Sequence, residues 1–545
     1  MASRVNLDAM IQREDFATED GDYTMDLFQN FPASNLEMHS PVRRLLRKPD
    51  FQRETNHWSP NQLVTFVASF LDNELIPSLI LWKSSTYIFV IDGGHRLSAL
   101  RAWMEDDYGD GPISRQFYNG EISAEQKRIA KRTRSLIESK IGRFSKLKGL
   151  VGTKLAVSDI DAKRSQLLFT RGLNLQWVQG TASVAETSFF KINSQGTPLD
   201  DTEELLLRNR KKPIAIGARA ILRAGVGHKY WSAFDKEIQA KIEKTASEIY
   251  AVLFEPEINQ PIKTLDLPLG GTVAPTDALA LLVDFLFICD SSQSATNNIA
   301  SYDDDEKGDK TITVLASALS VVNRITGNAH GSLGLHPAVY FYNEKGKHSR
   351  FLFLGMVSLI SSKLKNNDSG YFKKFTISRR KMEDFLVENK SLIGILLQNM
   401  NRSVRIAKMK DLLEFLIDKY SKDREVKIEE VLEHLGARGR ILDITTAATN
   451  VAFSDDTKSA IFVRRAIDTA MRCSVCSGLL DPAKSVSYDH KIPVRDGGTG
   501  ALENGDLIHP YCNQSIKQQI KLVHLTKLPP QCRCHSKPRR WSGVL

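Results

Sequence analysis

The chain lacks an apolar run long enough to cross a membrane, although 42% of its 545 residues are hydrophobic. Its most apolar stretches, residues 278–289 and 351–360, are too short or carry a charge, so they predict buried helices. The N-terminal sequence MASRVNLDAMIQRED also lacks the apolar centre of a secretory signal. These absences argue against a membrane or secreted protein, and we expect a cytoplasmic protein with no membrane partner.

Cysteine is scarce over most of the chain. Of the six cysteines, Cys289 alone lies outside the last 73 residues, in an apolar segment where a buried thiol is expected. This distribution excludes a disulfide framework spread along the chain. The other five cysteines cluster with histidines near the C-terminus, which in a reducing compartment predicts metal binding rather than disulfides.

Positive charge is what the chain has in excess, with a net charge of +10 and a pI near 9.1. Residues 473–545 hold ten Lys or Arg against five Asp or Glu, and residues 127–148 hold nine cations and one acid. Such segments are compatible with a polyanionic partner. For either run, a solvated helix face is an equally good interpretation.

Length and segment patterns predict an α+β multidomain protein of three parts. Runs rich in β-branched and aromatic residues at 77–82 and 86–92 predict strands. The segment NLEMHSPVRRLLRK predicts a helix over 35–48, and a Ser-Pro start predicts a helix over 59–73. The predicted parts are an N-terminal domain at residues 1–215, a mostly helical middle at 216–455, and a C-terminal domain with a basic tail at 456–545.

The C-terminal part contains two two-residue knuckles, Cys473-x-x-Cys476 and His509-x-x-Cys512. Together they offer four nitrogen and sulfur ligands, which suits a closed tetrahedral zinc site with a structural role. A segment this short cannot bury enough apolar surface to fold alone, so a bound Zn²⁺ would contribute to its folding.

Between and beside the knuckles lie Asp489-His490, Asn504 and Asn513. Hydrolysis of a phosphodiester needs a base that deprotonates water and a divalent cation that offsets the charge growing on the phosphate. A neutral imidazole can serve as the base, and carboxylate and amide oxygens suit Mg²⁺. The nested pattern therefore predicts a structural metal that fixes the geometry of a catalytic one.

This pattern resembles the HNH endonucleases and their ββα-metal fold. The resemblance rests on the two knuckles, on DHKIP followed by the Gly497-Gly498 turn, and on HPYCNQSIK ending at Lys517. It implies that His490 is the general base, that Asp489 and Asn513 bind Mg²⁺ or Mn²⁺, and that Asn504 holds the loop and orients His490. His509 in place of a cysteine, and the inserted NGDL segment, depart from the family pattern without removing a catalytic group.

The basic tail carries a further group, Cys532, Cys534 and His535. Their close spacing could hold a second metal. A tail that faces DNA is the interpretation we favour.

Near the N-terminus, Asp92-Gly93-Gly94-His95-Arg96 follows a predicted strand and opens a predicted helix. Backbone N–H groups at a helix start attract anions, and Arg96 could bind a phosphate. A tight turn with a solvated arginine is the alternative.

The flanking segments make this region similar to the ParB/sulfiredoxin-like family, whose members carry a DGQQR or DGQHR motif. The resemblance covers roughly residues 35–215 and rests on Gln52-Arg53 with Trp58, on the glycine turn, and on Phe190 to Glu204 around Asn193. Gly94 stands where the family usually has glutamine. The nucleotide-binding residues that the resemblance implies are Arg53, Asp92, Gly93, Gly94, His95, Arg96 and Asn193.

Joined to an HNH-type domain, such a domain resembles the restriction proteins of the GmrSD type and the SspE defence protein. The resemblance implies a bacterial anti-phage DNA endonuclease, gated by an N-terminal domain that binds and could hydrolyse NTP. Its DNA would be phage or modified DNA, and it could act as a homodimer or with a partner subunit. The alternative is a ParB-like, nucleotide-dependent DNA-binding switch whose HNH module mainly binds DNA.

Overall fold

The structure of the chain is a computed structural model. It describes residues 4–14, 16, 28–50, 52, 55–120, 122–151, 158–195, 201–226, 230–272, 275–290, 298–437 and 452–516. The chain divides into two compact units, Met1–Asp235 with Tyr302–Glu306, and Lys236–Ser301 with Lys307–Leu545. Among the described helices, none combines the length and the apolar character that a membrane crossing requires. The α+β multidomain class predicted from the sequence is confirmed, and the three-part division remains a prediction.

The first unit is a mixed sheet with helices on both faces. Its strands are β1 (Arg13–Glu14), β2 (Asn30–Pro32), β3 (Leu46–Pro49), β4 (Leu79–Lys83), β5 (Ile88–Asp92) and β6 (Gly172–Trp177). Its helices are α1 (Pro41–Leu45), α2 (Pro60–Leu71), α3 (Gly94–Glu105), α4 (Pro112–Phe117), α5 (Ala124–Lys140), α6 (Phe144–Gly149), α7 (Asp159–Thr170), α8 (Ala182–Gln195), α9 (Asp201–Arg208) and α10 (Pro213–Leu222), with short 3₁₀ turns at Asp8–Met10 and Ala33–Leu36.

The six strands run in the order β1-β3-β5-β4-β6-β2. Strands β1, β3 and β5 are parallel, as are β4 and β6, whereas β5 pairs with β4 and β6 with β2 in antiparallel fashion. The register of β4 against β5 shifts between Ile80 and Leu81, where Ile80 lies opposite Asp92. Such an irregularity bends a strand locally, and here it lies where β5 enters the glycine turn.

Strand β5 is apolar along its length because both of its faces are covered. Ile88 and Val90 belong to one hydrophobic core, and Phe89 and Ile91 belong to another. Alternate residues of a strand point to opposite faces, so this assignment follows from the two-residue period. The continuous apolar run that predicted a strand at 86–92 is thus explained by burial on both faces.

Two parts of this unit differ from the sequence prediction. The helix expected over residues 35–48 is short, since α1 covers only Pro41–Leu45 and the chain then continues as β3, whose Leu46 pairs with Ile88. That pairing across the sheet overrides the local helical pattern. Strand β6, which lies between β4 and the edge strand β2, had no strong sequence signal.

The basic run at 127–148 lies on helices α5 and α6, and ion pairs engage several of its cations. Arg134 contacts Asp106 at 3.0 Å and Asp110 at 2.8 Å, and Lys148 contacts Glu37 at 2.9 Å. Local acids therefore offset part of this positive charge, which favours the solvated helix face over a nucleic-acid contact.

In its described residues, the second unit is helical and contains one small β-ribbon. Its elements are α11 (Lys236–Phe254), α12 (Pro275–Cys289), α13 (Asp309–Ile325), α14 (Pro337–Tyr340), α15 (Arg350–Lys365), α16 (Ser369–Glu388), α17 (Lys390–Gln398), α18 (Arg405–Ser421), α19 (Ile428–His434), α20 (Asp455–Asp468), β7 (Ser487–His490) and β8 (Gly505–Ile508). Short turns lie at Ile299–Ser301, Arg402–Val404, Val494–Asp496, Leu502–Asn504 and, as a π-helical turn, Cys512–Ile516.

Helices α12 and α15 contain the two most apolar stretches of the chain, and both are buried as predicted. On α15, Leu352 to Leu354 and Met356 to Val357 are at most 6% exposed. A helix that is apolar around much of its circumference requires neighbours on several sides, and α12, α13 and α18 supply them. Cys289 ends α12 as a buried thiol, whose pKa burial raises.

Candidate functional site

The four side chains of the two knuckles converge on one point. The ligand atoms of Cys473, Cys476, His509 and Cys512 all lie within 4.8 Å of one another, and all four residues are buried. Nδ1 of His509 is 3.3 Å from the Cys476 sulfur and 3.9 Å from the Cys512 sulfur. Three sulfurs and one imidazole nitrogen at this spacing match the donor set of a closed tetrahedral zinc site.

A tight turn forms the first knuckle. The N–H of Ser477 donates to the Cys473 carbonyl at 2.8 Å, and the N–H of Cys473 donates to the Gly478 carbonyl at 2.9 Å. Ser477 adopts a left-handed φ of 57°, which folds the chain back so that both sulfurs face the same side. The second knuckle is closed by the N–H of Asn513, which donates to the His509 carbonyl at 3.0 Å.

The ring of His509 is held in the orientation that a metal ligand needs. Its Nε2 lies 2.9 Å from the Leu479 carbonyl, which can only accept, so Nε2 carries the proton and Nδ1 faces the sulfurs. Burial, followed by the charge of nearby Arg379, lowers the pKa of His509. The imidazole is therefore neutral near pH 7, which is the form that coordinates a metal.

The residues predicted to be catalytic lie on the ribbon next to this cluster. Strands β7 and β8 pair antiparallel, with Asp489 opposite Asp506 and His490 opposite Gly505. Oδ1 of Asp489 accepts the N–H of His490 at 2.8 Å. Both side chains are half-buried, so a ligand can reach them from solvent.

Asn504 directs its side chain into the loop that leaves His490. Its Oδ1 accepts the N–H of Ile492 at 2.7 Å, and its Nδ2 donates to the carbonyls of Ile492 at 3.0 Å and Thr499 at 2.8 Å. The main chain adds a bond from the Lys491 N–H to the Asn504 carbonyl at 2.8 Å. The side-chain amide thus closes the loop on both sides of the Gly497-Gly498 turn.

Asn513 reaches the ribbon from the π-helical turn that follows the second knuckle. Its Nδ2 donates to Oγ of Ser487 at 2.8 Å, which turns its Oδ1 away from that hydroxyl. Ser487 and Asp489 are two residues apart on β7, so their side chains share one face of the ribbon. The fold therefore brings Asn513 to the face that carries Asp489, and the specific roles of these residues remain predictions.

In the first unit, the glycine turn borders a pocket of about 580 Å³. This is within the range of small-molecule sites in proteins. The pocket is lined by Gln52, Thr55, Trp58, Asn61, Gln62, Thr65, Phe66, Pro77, Ile91, Asp92, Gly93, Gly94, His95, Arg96 and Phe189. The lining includes five of the predicted nucleotide-binding residues, Asp92 to Arg96. It also includes the aromatic side chains of Trp58, Phe66 and Phe189.

The turn itself requires glycine at position 93. Gly93 has a φ of 95°, and a Cβ there would lie 2.3 Å from Cδ2 of Leu79. Helix α3 begins at the next residue, so its first N–H groups lie at the pocket. Nη2 of Arg96 contacts Oδ2 of Asp92 at 2.5 Å, and its Nη1 donates to the Pro77 carbonyl at 2.7 Å, so the arginine braces the turn.

Gln52 occupies the space next to Gly94. Its Nε2 donates to the carbonyls of Val90 at 3.1 Å and Ile91 at 3.3 Å, and a Cβ at position 94 would lie 3.1 Å from its Oε1. Gln52 is 7% exposed, and its Oε1 has no hydrogen-bond partner among the described residues. A larger residue at 94 would compete with this side chain, which gives a physical reason for the departure from the family motif.

The sequence prediction missed several residues of the pocket. Phe66 carried no signal beyond the apolar pattern of its helix, whereas Gln52, Trp58 and Phe189 belonged to segments that carry the family resemblance. Arg53, Lys517, Cys532, Cys534 and His535 lie outside the described residues, as does the side chain of Asn193.

Comparison with protein families gives two matches, one in each part of the chain that carries a candidate site. Residues 36–210 match the family described as GmrSD restriction endonuclease, N-terminal domain, and residues 473–519 match HNH endonuclease. Comparisons with curated proteins and with solved structures found no match. The Cys₃His cluster lies inside the HNH match, and the pocket lies inside the GmrSD match. One chain thus carries a segment similar to the GmrSD N-terminal domain and a segment similar to HNH endonucleases, and this combination supports a DNA endonuclease of the restriction type.

Proposed function

We propose that the protein is a Mg²⁺- or Mn²⁺-dependent DNA endonuclease whose cleavage site is formed by Asp489, His490, Asn504 and Asn513. The observation that supports this most is the bond between Asn513 and Ser487, because it joins the second knuckle to the strand that carries Asp489 and His490. Zn²⁺ in the Cys₃His cluster would be structural, since the four ligands leave no open position.

Each residue of the proposed cleavage site has a separate role in phosphodiester hydrolysis. A divalent cation would stabilise negative charge on the attacked phosphate, and Asp489 and Asn513 offer carboxylate and amide oxygens to hold it. His490 takes a proton from the attacking water through its imidazole. Asn504 positions His490 through the loop that begins at Lys491.

Replacement of His490 by Ala tests the cleavage site. We expect supercoiled plasmid to be nicked or linearised by the wild-type chain with Mg²⁺ or Mn²⁺, and not by the variant, while DNA binding is retained. His330→Ala is a matched control because His330 is an exposed histidine of the same unit. Full cleavage by His490→Ala would contradict the assignment. DNA retention without strand breaks in the wild type would favour the ParB-like switch.

We infer further that the pocket beside Gly93 and Gly94 binds a nucleoside triphosphate and gates the nuclease. The start of helix α3 offers N–H groups to a phosphate, and Trp58, Phe66 and Phe189 offer faces on which a base can stack. The unpaired Oε1 of Gln52 suits a donor of the ligand, such as a sugar hydroxyl or a base amine. Hydrolysis of the nucleotide is part of the same proposal.

Arg96→Gln tests whether nucleotide bound in this pocket controls cleavage. The ion pair of Arg96 with Asp92 has side chains 12% and 39% exposed, and the pair of Arg164 with Asp72 in the same unit has side chains 13% and 41% exposed. We expect Arg96→Gln to weaken the binding of ATP or GTP in calorimetry and to remove any effect of nucleotide on cleavage, whereas Arg164→Gln should behave as wild type. Equal nucleotide affinity in both variants and the wild type would contradict the site.

The biological role that we propose is defence against phage through cleavage of phage or modified DNA. The wild-type chain should be compared on unmodified, glucosylated and phosphorothioate plasmid, with and without ATP or GTP. A preference for one modified substrate would identify the trigger. Two HNH modules are needed for cuts in opposite strands, so light scattering during cleavage would show whether a homodimer forms; a monomer that only nicks would require a partner subunit for double-strand breaks.

A further inference from the structure

A buried ion pair on helix α16 lies against the metal cluster. Arg379 and Glu383 are one helical turn apart, with Nε and Oε1 at 2.7 Å and side chains only 2% and 0% exposed. Burying two charges is costly unless the remaining polar atoms are also bonded. The additional partners of the pair therefore indicate what the pair holds in place.

Those partners are main-chain groups next to the cluster. Oε2 of Glu383 accepts the N–H of Leu479 at 2.6 Å, and Nη2 of Arg379 lies 3.4 Å from the carbonyl of the same residue. Arg379 also donates to the carbonyls of Leu333 at 2.5 Å and Gly334 at 2.8 Å. The ion pair thus contacts both the N–H and the carbonyl of Leu479. Leu479 is three residues beyond Cys476, at the end of the first knuckle.

The carbonyl of Leu479 also accepts the Nε2 proton of His509 at 2.9 Å. One residue is thus shared by the ion pair and by the ring that faces the three sulfurs. Close packing accompanies these bonds, since a Cβ at Gly478 would lie 2.5 Å from Nε of Arg379 and a Cβ at Gly334 would lie 2.9 Å from Cδ2 of His509.

We propose that Arg379 and Glu383 are positioning residues of the nuclease domain. They fix the Leu479 main chain, which in turn sets the orientation of His509 toward the metal. The helical region therefore supplies the outer shell of the metal site, and partners of this kind typically change metal affinity about 10- to 100-fold. The inference depends on the cluster holding a metal, which is part of the proposed function.

The test uses the full chain with Arg379→Met and Glu383→Leu combined. Replacing both charges together avoids leaving one of them buried alone. It also removes the partners of the Leu333, Gly334 and Leu479 main chain, so we expect a lower melting temperature, and zinc release is measured well below it. Release of Zn²⁺ to a chromogenic chelator should become about 10-fold faster or more. With Co²⁺ in place of Zn²⁺, the visible ligand-field bands should shift, because the His509 ring would be free to turn.

Arg380→Met is the matched control. Arg380 pairs with Asp384 at 2.6 Å with the same four-residue spacing on the same helix, but its side chain is 48% exposed. We expect wild-type zinc release from this variant. Wild-type release from the double variant would overturn the positioning role, whereas a wild-type chain without bound zinc would instead contradict the proposed function.

Tyr340→Phe keeps the test decisive if the double variant does not fold. The Tyr340 hydroxyl donates to Oε1 of Glu383 at 2.8 Å, so its removal takes away one of the bonds that hold the Glu383 carboxylate against the Leu479 N–H. Zinc release should become faster by about twofold or more. No change in release from this folded variant would overturn the proposal.

Discussion

Removal of the Asn504 side chain should disable the nuclease without unfolding the chain. Its amide makes three hydrogen bonds, one with the N–H of Ile492 and two with the carbonyls of Ile492 and Thr499. A hydrogen bond typically contributes about 1 kcal/mol, so Asn504→Ala should weaken the closed loop by about 2–3 kcal/mol. The loop begins directly after His490, so this loss falls on the proposed base.

A loop destabilised by about 2–3 kcal/mol is open about 30- to 150-fold more often than in the wild type. We therefore expect kcat for plasmid cleavage to fall by about 10- to 100-fold, with less effect on DNA binding. Asn504→Asp should lose at least as much activity. One carboxylate oxygen can still accept from Ile492, but the other faces the carbonyls of Ile492 and Thr499, which offer no proton.

Two measurements separate a positioning role from a direct one. Hydrogen exchange should show faster exchange of the Ile492 amide in Asn504→Ala, and Glu503→Ala should retain wild-type cleavage because Glu503 is exposed. Wild-type activity of Asn504→Ala would refute the reasoning. Lost activity with unchanged protection of Ile492 would show that Asn504 acts on the substrate itself.

Three further predictions follow from buried groups of the second unit. Burial lowers the pKa of His336 from 6.5 to about 4, so on acidification His336 is protonated in the unfolded state before it is protonated in the folded state. The free energy of unfolding should therefore fall by up to about 3 kcal/mol as the pH drops from 6.5 to 4. Urea unfolding of His336→Asn should show a smaller fall over the same pH range. Gly478→Ala should destabilise the unit by about 1–3 kcal/mol through overlap with Arg379, measured by thermal unfolding, whereas Gly500→Ala, with open space around its Cβ position, should not. Metal analysis should find about one zinc per chain in the wild type and in Cys289→Ala, and markedly less in Cys476→Ser.

The C-terminal site could be predicted largely from the sequence because its residues are close together along the chain. The two knuckles fix their ligands through short turns, and the ribbon between them is a local hairpin. The sequence pattern therefore led to the cluster of Cys473, Cys476, His509 and Cys512 that the structure contains. The outer contacts of that cluster were not predicted, because Arg379 and Glu383 lie about a hundred residues earlier and look like ordinary charges of a helix.

The N-terminal pocket was harder to predict from the sequence because most of its walls come from segments that are far apart along the chain. The turn from Asp92 to Arg96 is local, and its strand and helix were predicted correctly. The remaining walls come from distant segments, including Phe189 on α8. Strand β3 was predicted as helix because its partner β5, which makes it a strand, is about forty residues away.

The link between helix α16 and the knuckle bears on how the nuclease domain is built. The described part of the HNH match is short, and its own hydrophobic core consists mainly of ligand cysteines with Leu480 and Ile508. A core of this size cannot fix a backbone by packing alone. In the arrangement that we propose, two other contributions hold this backbone: a metal bound by the Cys₃His cluster and the Arg379–Glu383 pair on helix α16. The pair belongs to helix α16. A small displacement of that helix would therefore change the hydrogen bonds between the pair and the Leu479 main chain. Cleavage by this domain should therefore depend on the state of the helical region even though none of the proposed catalytic residues lies there.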